Sequence, residues 1–171
     1  MGSVANPVSG VQEAAVASGI DGLAPDIDII RHQDTLLTAA QLLALRATNI
    51  EVVGAPSAGY AAVPVAVHMF LDHGGTDIVQ VNNADQLALL YNGGSEIVEI
   101  GLAASFTSFI EASADEAFFV AFAEATGAGG ETPIAATAID LDNNGAAEWT
   151  TGDGLMSMRV YYKLVPMFRF S

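Results

Sequence analysis

From Met156 to Leu164 the chain alternates without a slip, and few folds can accept such a segment. Met156, Met158, Val160, Tyr162 and Leu164 point one way, while Ser157, Arg159, Tyr161 and Lys163 point the other. Side chains leave a strand on alternate sides, so this is a half-buried strand with a polar, basic outer face. Its backbone groups need neighbouring strands, and the chain upstream supplies them.

Ile50–Val53 reads as a short strand closed by Gly54-Ala-Pro-Ser-Ala-Gly59. Tyr60–Leu71 follows, with Val63, Val65, Val67, Met69 and Leu71 at period two. Its other face, Ala62, Pro64, Ala66, His68 and Phe70, is also mostly apolar. Such a strand is buried on both sides, or packs against an arm or a partner as well as a core. Pro64 cannot donate to a ladder and marks an edge or a bulge. Ile78–Val81, Gln86–Tyr91, Glu96–Leu102, Ala117–Ala123 and Ile134–Leu141 complete the strands, separated by turns such as Asp72-His-Gly-Gly75 and Asn92-Gly-Gly94. About eight short strands at intervals of roughly 8–15 residues argue for a mainly β fold, an antiparallel β-sandwich or jelly roll.

One or two short helices join them. Thr38-Ala-Ala-Gln41 before Leu42 and Leu43 is a capping-box start, with the Thr hydroxyl and the Gln side chain each serving the other's backbone amide. Asn49 ends this element, and Ser105–Ile110 forms a second helical turn. Residues 1–33 have a different texture: small residues, glycines and prolines, with no aromatic side chain before His32. They read as an extended N-terminal arm, and residues 34–171 as a single β-rich domain. No long apolar stretch lacks Gly or Pro, so no membrane span or secretory leader is expected.

Charge removes several function classes. Five Lys and Arg stand against twenty Asp and Glu, a formal charge of −15. Fifteen carboxylates and no cation lie between Arg46 and Arg159. Nucleic-acid binders neutralise phosphates with Lys and Arg, so no nucleic-acid partner is expected. Anionic membrane surfaces are disfavoured for the same reason. The chain has no cysteine, which excludes disulfides, thiolate metal sites and cysteine nucleophiles.

No motif nominates a catalyst or a cofactor. There is no G-x-S-x-G elbow, and the glycine-rich pieces lack the Lys of a phosphate loop. His68 and His73 fall on opposite faces of a regular strand, with no third ligand placed by spacing. Asp140-Leu-Asp-Asn-Asn-Gly145 matches the first half of a calcium loop, but Thr151 stands where the bidentate carboxylate belongs. Asn-Gly between apolar runs is itself a hairpin signal, so the segment reads first as a turn. The stripe Arg159, Tyr161, Lys163 is the candidate partner-binding site. It reads either as a dock for an acidic partner or, more plainly, as a solvated face paired with a neighbouring acidic strand.

Several segments carry a resemblance when taken in order. They are Arg31-His-Gln-Asp-Thr-Leu-Leu-Thr-Ala-Ala-Gln-Leu-Leu-Ala-Leu-Arg-Ala-Thr48, Glu51-Val-Val-Gly-Ala-Pro-Ser-Ala-Gly59, Phe70-Leu-Asp-His-Gly-Gly-Thr76 and Ala84-Asp-Gln-Leu-Ala-Leu-Leu-Tyr91. Asn144-Gly-Ala-Ala-Glu-Trp-Thr-Thr-Gly-Asp-Gly154 and Met158-Arg-Val-Tyr-Tyr162 follow. Together they resemble small virion proteins of tailed bacteriophages, some of which are head decoration, or cement, proteins. The chain departs from that pattern in a longer segment before Arg31 and in Ser57, where Gly is usual. The resemblance implies a non-enzymatic virion protein on the capsid exterior, a dimer or trimer that clamps the major capsid protein. Two other readings stand beside it. One is a neck or tail structural component. The other is a carbohydrate- or calcium-binding β-sandwich module, with Trp149 as its sugar platform where the indole is exposed, although a Trp so placed is more often packed.

Overall fold

A computed structural model describes residues 29–80, 87–92, 94–100, 103–122, 133–145 and 147–167. The arm expected over residues 1–28, the turn over 82–85 and the glycine-rich loop over 126–130 lie outside the described residues. Eight strands are present among those described: β1 (Arg31–Leu37), β2 (Ile50–Val53), β3 (Tyr60–Asp72), β4 (Leu87–Tyr91), β5 (Ser95–Ile100), β6 (Glu116–Ala121), β7 (Ile139–Asn143) and β8 (Leu155–Pro166). Two helices join them, α1 (Ala39–Leu43) and α2 (Ala103–Ile110).

The strands form two four-stranded antiparallel sheets, ordered β1-β8-β3-β6 and β2-β7-β4-β5. Pairing is nested, with β1 against β8, β2 against β7, β3 against β6 and β4 against β5. A long hairpin closed at β4–β5 and folded over onto itself produces this order, and it is the order of a jelly roll. One core lies between the sheets. Leu87, Leu89 and Tyr91 of β4 and Ile139 and Leu141 of β7 share it with Met69 and Leu71 of β3 and Met156, Met158 and Val160 of β8. Each such side chain contributes about 1.5–3 kcal/mol by leaving water. The Tyr91 hydroxyl crosses the core and donates to the Ala62 carbonyl at 2.7 Å. Burial pushes that phenol up to about 12.

Local chemistry sets the joints. Thr38 caps α1 as expected: its Oγ1 accepts from Gln41 N at 3.3 Å and its own N donates to Gln41 Oε1 at 3.0 Å. The cap directs Leu42 and, a turn later, Leu45 into the core. Gly152 holds φ at +106° against Ile78, where a Cβ would collide. The tight turn lets Asp153 accept the Gly75 and Thr76 amides, which tie the end of β3 to the start of β8. The Thr76 amide leads in holding the Asp153 carboxyl below the usual carboxylate range.

Four expectations are corrected. Arg31–Gln33 belong to β1, not to an arm, because β1 pairs with β8 from Arg31↔Tyr162 onward. In β3 the register slips between Pro64 and Ala66, so the bulge at Pro64 reverses the facing. Ala62 joins Val67 and Met69 in the core, whereas strict alternation groups Val63 with them. Ile134 is exposed before a turn, and β7 begins only at Ile139. Around Ile78 the described residues contain only the single bridge Val79↔Thr150 in place of a strand.

Candidate interaction surface

Register fixes which side chains share the outer face of the β1-β8-β3-β6 sheet. One row runs Asp34, Arg159, His68, Phe119. The next runs Leu36, Ser157, Phe70, Ala117, and on the other side His32, Tyr161, Ala66, Ala121. Large apolar side chains stand in the open on this face: Phe119 is 62% exposed, Leu36 61%, Phe70 40% and Leu155 37%. Exposed apolar residues that are neighbours on one face mark an interaction surface, where scattered ones do not. Between them lies a shallow depression of about 520 Å³, lined by Asp34, Leu36, His68, Phe70 and Arg159 among others.

The predicted stripe is on this face, and its members differ. Arg159 is clasped by Asp34, Nε to Oδ1 at 2.6 Å and a second guanidinium nitrogen to Oδ2 at 2.7 Å. That bidentate bond holds the Asp34 carboxyl below its usual range and raises the Arg159 guanidinium further. Both partners are exposed to solvent, so the pair orients the guanidinium more than it stabilises the fold. Tyr161 leans on His32, ring centroids 6.2 Å apart at 52°. Lys163 stands opposite Val63, nearer the far end of β8. Asp34 and Asp72 against Arg159 and Lys163 leave the face balanced in charge, within a chain of −15.

The outer face of the other sheet is a contrast. Glu51, Asp140, Leu90 and Glu96 form one row, and Asp142, Ala88 and Glu99 the next. Ala88 and Leu90 are buried under the flanking side chains, at 0% and 6% exposure. Asn144 donates to Glu96 and Glu99 at 3.3 and 3.0 Å. Burial raises the Asp142 carboxyl against the Asn143 amide and Arg46, which pull it down, and Glu148 and Glu96 push it up further. Arg46 lines the shallow depression of about 420 Å³ beside it.

The remaining candidates resolve simply. Trp149 is 2% exposed and part of the core, so it offers no sugar platform. Asp140–Asn143 is strand β7, and Asn143 spends its side chain on its own turn, accepting from Gly145 N and donating to the Ala147 carbonyl. His68 points outward from β3. His73 sits in the following turn with its Nε2 2.8 Å from Asp77 Oδ1. Among the described residues no group of three or more His, Asp or Glu side chains is placed to hold a metal ion.

No family model matches the chain, and no curated protein does. Among solved structures it is similar to a chain of the cyanophage Pam1 capsid asymmetric unit, at 16% identity and a TM-score of 0.42, covering 80% of this chain and 84% of that one.

Sequence reasoning missed Asp34, Leu36 and Phe119. A signal existed for each. His32, Asp34 and Leu36 alternate with Gln33, Thr35 and Leu37. Phe119 interrupts the otherwise small outward residues of β6.

Proposed function

We propose that this protein is a structural virion component of a tailed phage, a capsid decoration protein that binds and stabilises the shell of the major capsid protein from the capsid exterior. The observation that carries the reading is the asymmetry of a compact jelly roll. One sheet face is closed to like molecules by five carboxylates, and the other is apolar and balanced in charge. A shell component must stay dispersed until it meets a fixed, repeated site, and a strong net charge keeps it so. Viral capsid proteins are among the users of the jelly roll, and the ordered segments from Arg31 to Tyr162 resemble phage decoration proteins. The role is non-enzymatic: the chemistry on the surface is apolar contact and oriented charge.

Co-sedimentation of the full-length protein with phage heads lacking it tests the proposal. The expected result is saturable binding, with raised resistance of the heads to heat. Absence of binding to heads overturns it, and binding to tails in place of heads moves the protein to a neck or tail role.

A further inference from the structure

Among the described residues nothing covers Phe119, Leu36 and Phe70 on the outer face of the β1-β8-β3-β6 sheet, and the face carries both a knob and a hollow. Phe119 projects from β6 at 62% exposure. The depression lies two strands away, over β8, with Arg159 and His68 of the Phe119 row in its lining. Knob and hollow are about 10 Å apart, two strand spacings, on either side of β3. We propose that two copies of this chain pair face to face through this sheet, about a two-fold axis that runs parallel to the strands above β3. That operation places Phe119 of each copy in the hollow of the other, with its ring against the Arg159 guanidinium. The bidentate Asp34 bond holds the guanidinium in one orientation, which suits it to receive an aromatic face. Leu36 and Phe70 flank the hollow and complete an apolar centre, and the two His68 side chains meet near the axis.

Charge selects both the face and the occupant. Two copies of a −15 chain repel, and like charges brought together at the five-carboxylate face of the other sheet would repel most. The Phe119 face, with two carboxylates and two cations, is where copies approach at least cost. Residues 1–28 suit it less well. They carry Glu13, Asp21, Asp26 and Asp28, no Lys or Arg, and no aromatic side chain to fill the hollow. An isologous contact is also the commonest symmetric solution for a soluble oligomer. The pairing draws on the same face as the virion reading but is tested apart from it, and failure of the protein to bind heads leaves it standing.

Sedimentation equilibrium of the full-length protein across micromolar concentrations is the test. The expected result is a dimer, and Phe119→Glu weakens it by roughly 30-fold or more, the loss typical of a central interface aromatic. Phe119 is exposed in the single chain, so this variant keeps the parent's circular dichroism, and it keeps the thermal midpoint when both are compared at concentrations where the parent too is monomeric. A second measurement uses the absence of cysteine. His68→Cys is captured copy to copy by a short bismaleimide, whereas Glu51→Cys, on the opposite sheet, is not. A full-length monomer overturns the proposal, and if removing residues 1–28 then yields a dimer, those residues are the occupant. A dimer indifferent to Phe119→Glu, a dimer whose His68→Cys variant fails to cross-link, or a trimer or larger ring also overturns it.

Discussion

The two sheets contribute comparable strands to one core, yet their outward sides differ in kind. On the β2-β7-β4-β5 side, the small or medium apolar residues Ala88 and Leu90 are covered, and carboxylates on β2, β7 and β5 surround them. On the β1-β8-β3-β6 side, Phe119, Phe70 and Leu36 are uncovered, and the charges among them are matched. Water accepts the first face as it stands, because its periphery is ionic. The second leaves contiguous apolar area in water, the kind of patch that marks interaction sites. An architecture with two chemically equivalent layers thus acquires a direction from a handful of outward positions.

The largest expected effect comes from placing the same charge on both faces. Leu90→Glu puts a buried carboxylate in register between Asp140 and Glu96. An uncompensated charge of that sort costs about 3–5 kcal/mol, a fall in thermal midpoint of roughly 10 °C or more. Phe119→Glu, by contrast, shifts the stability of the single chain by about 0.5 kcal/mol or less. Thermal unfolding of the two variants, both measured as monomers, checks the pair. Equal losses would erase the distinction between a closed face and an open one.

Next in size is the bond that joins the layers. Tyr91→Phe removes the donor to the buried Ala62 carbonyl and costs about 1–3 kcal/mol in urea unfolding. It also changes the alkaline limb. The folded phenol titrates at about 12 and the unfolded one near 10. Above about 10 the unfolded chain binds fewer protons than the folded one, so this contribution is full below that pH and is lost as pH rises through about 12. Tyr91→Phe should therefore flatten the decline between those values. An unchanged alkaline limb would show that the hydroxyl is not held as described.

Much of this arrangement was legible in the sequence, for reasons that particular residues make plain. β8 could be read at once because its alternation is long and unbroken, and α1 because Thr38 and Gln41 make a reciprocal cap within four residues. The interruption at Pro64 was legible too, but its consequence was not. A bulge's effect on facing depends on the partner's register, here Pro64↔Tyr162 followed by Ala66↔Tyr161, and a lone strand carries no register. The same limit hid half of the candidate surface. Arg159, Tyr161 and Lys163 are consecutive outward positions on one strand and were visible as a stripe. Asp34 and Phe119 join them only through pairing between segments far apart in the chain. The apolar outer side of β3, with His68 and Phe70, was the one local sign that this sheet turns apolar side chains away from the core.

The smallest expected effect is also the finest test of the contrast, because acid should move the two faces in opposite directions. Asp34 is held low by Arg159. Its contribution is present above the unfolded carboxylate value near 3.9 and is lost as pH falls through the lower folded value. Asp142 is held high by burial, which outweighs the Asn143 amide and Arg46 that favour its ionised form, with Glu148 and Glu96 adding to the rise. Its ionised form opposes folding at neutral pH, and protonation as pH falls through the raised folded value relieves that opposition. Asp142→Asn should thus stabilise the chain at pH 7, by about 0.2–1 kcal/mol as befits a partly exposed charge, with the gain fading in acid. Asp34→Asn should do the reverse, lowering stability at pH 7 and converging on the parent as pH falls through the lowered folded value of Asp34. Urea titrations of both variants at neutral and acidic pH measure the two slopes. Slopes of the same sign would mean that the carboxylates of both sheets sit in one common field, and that the faces differ in apolar exposure alone.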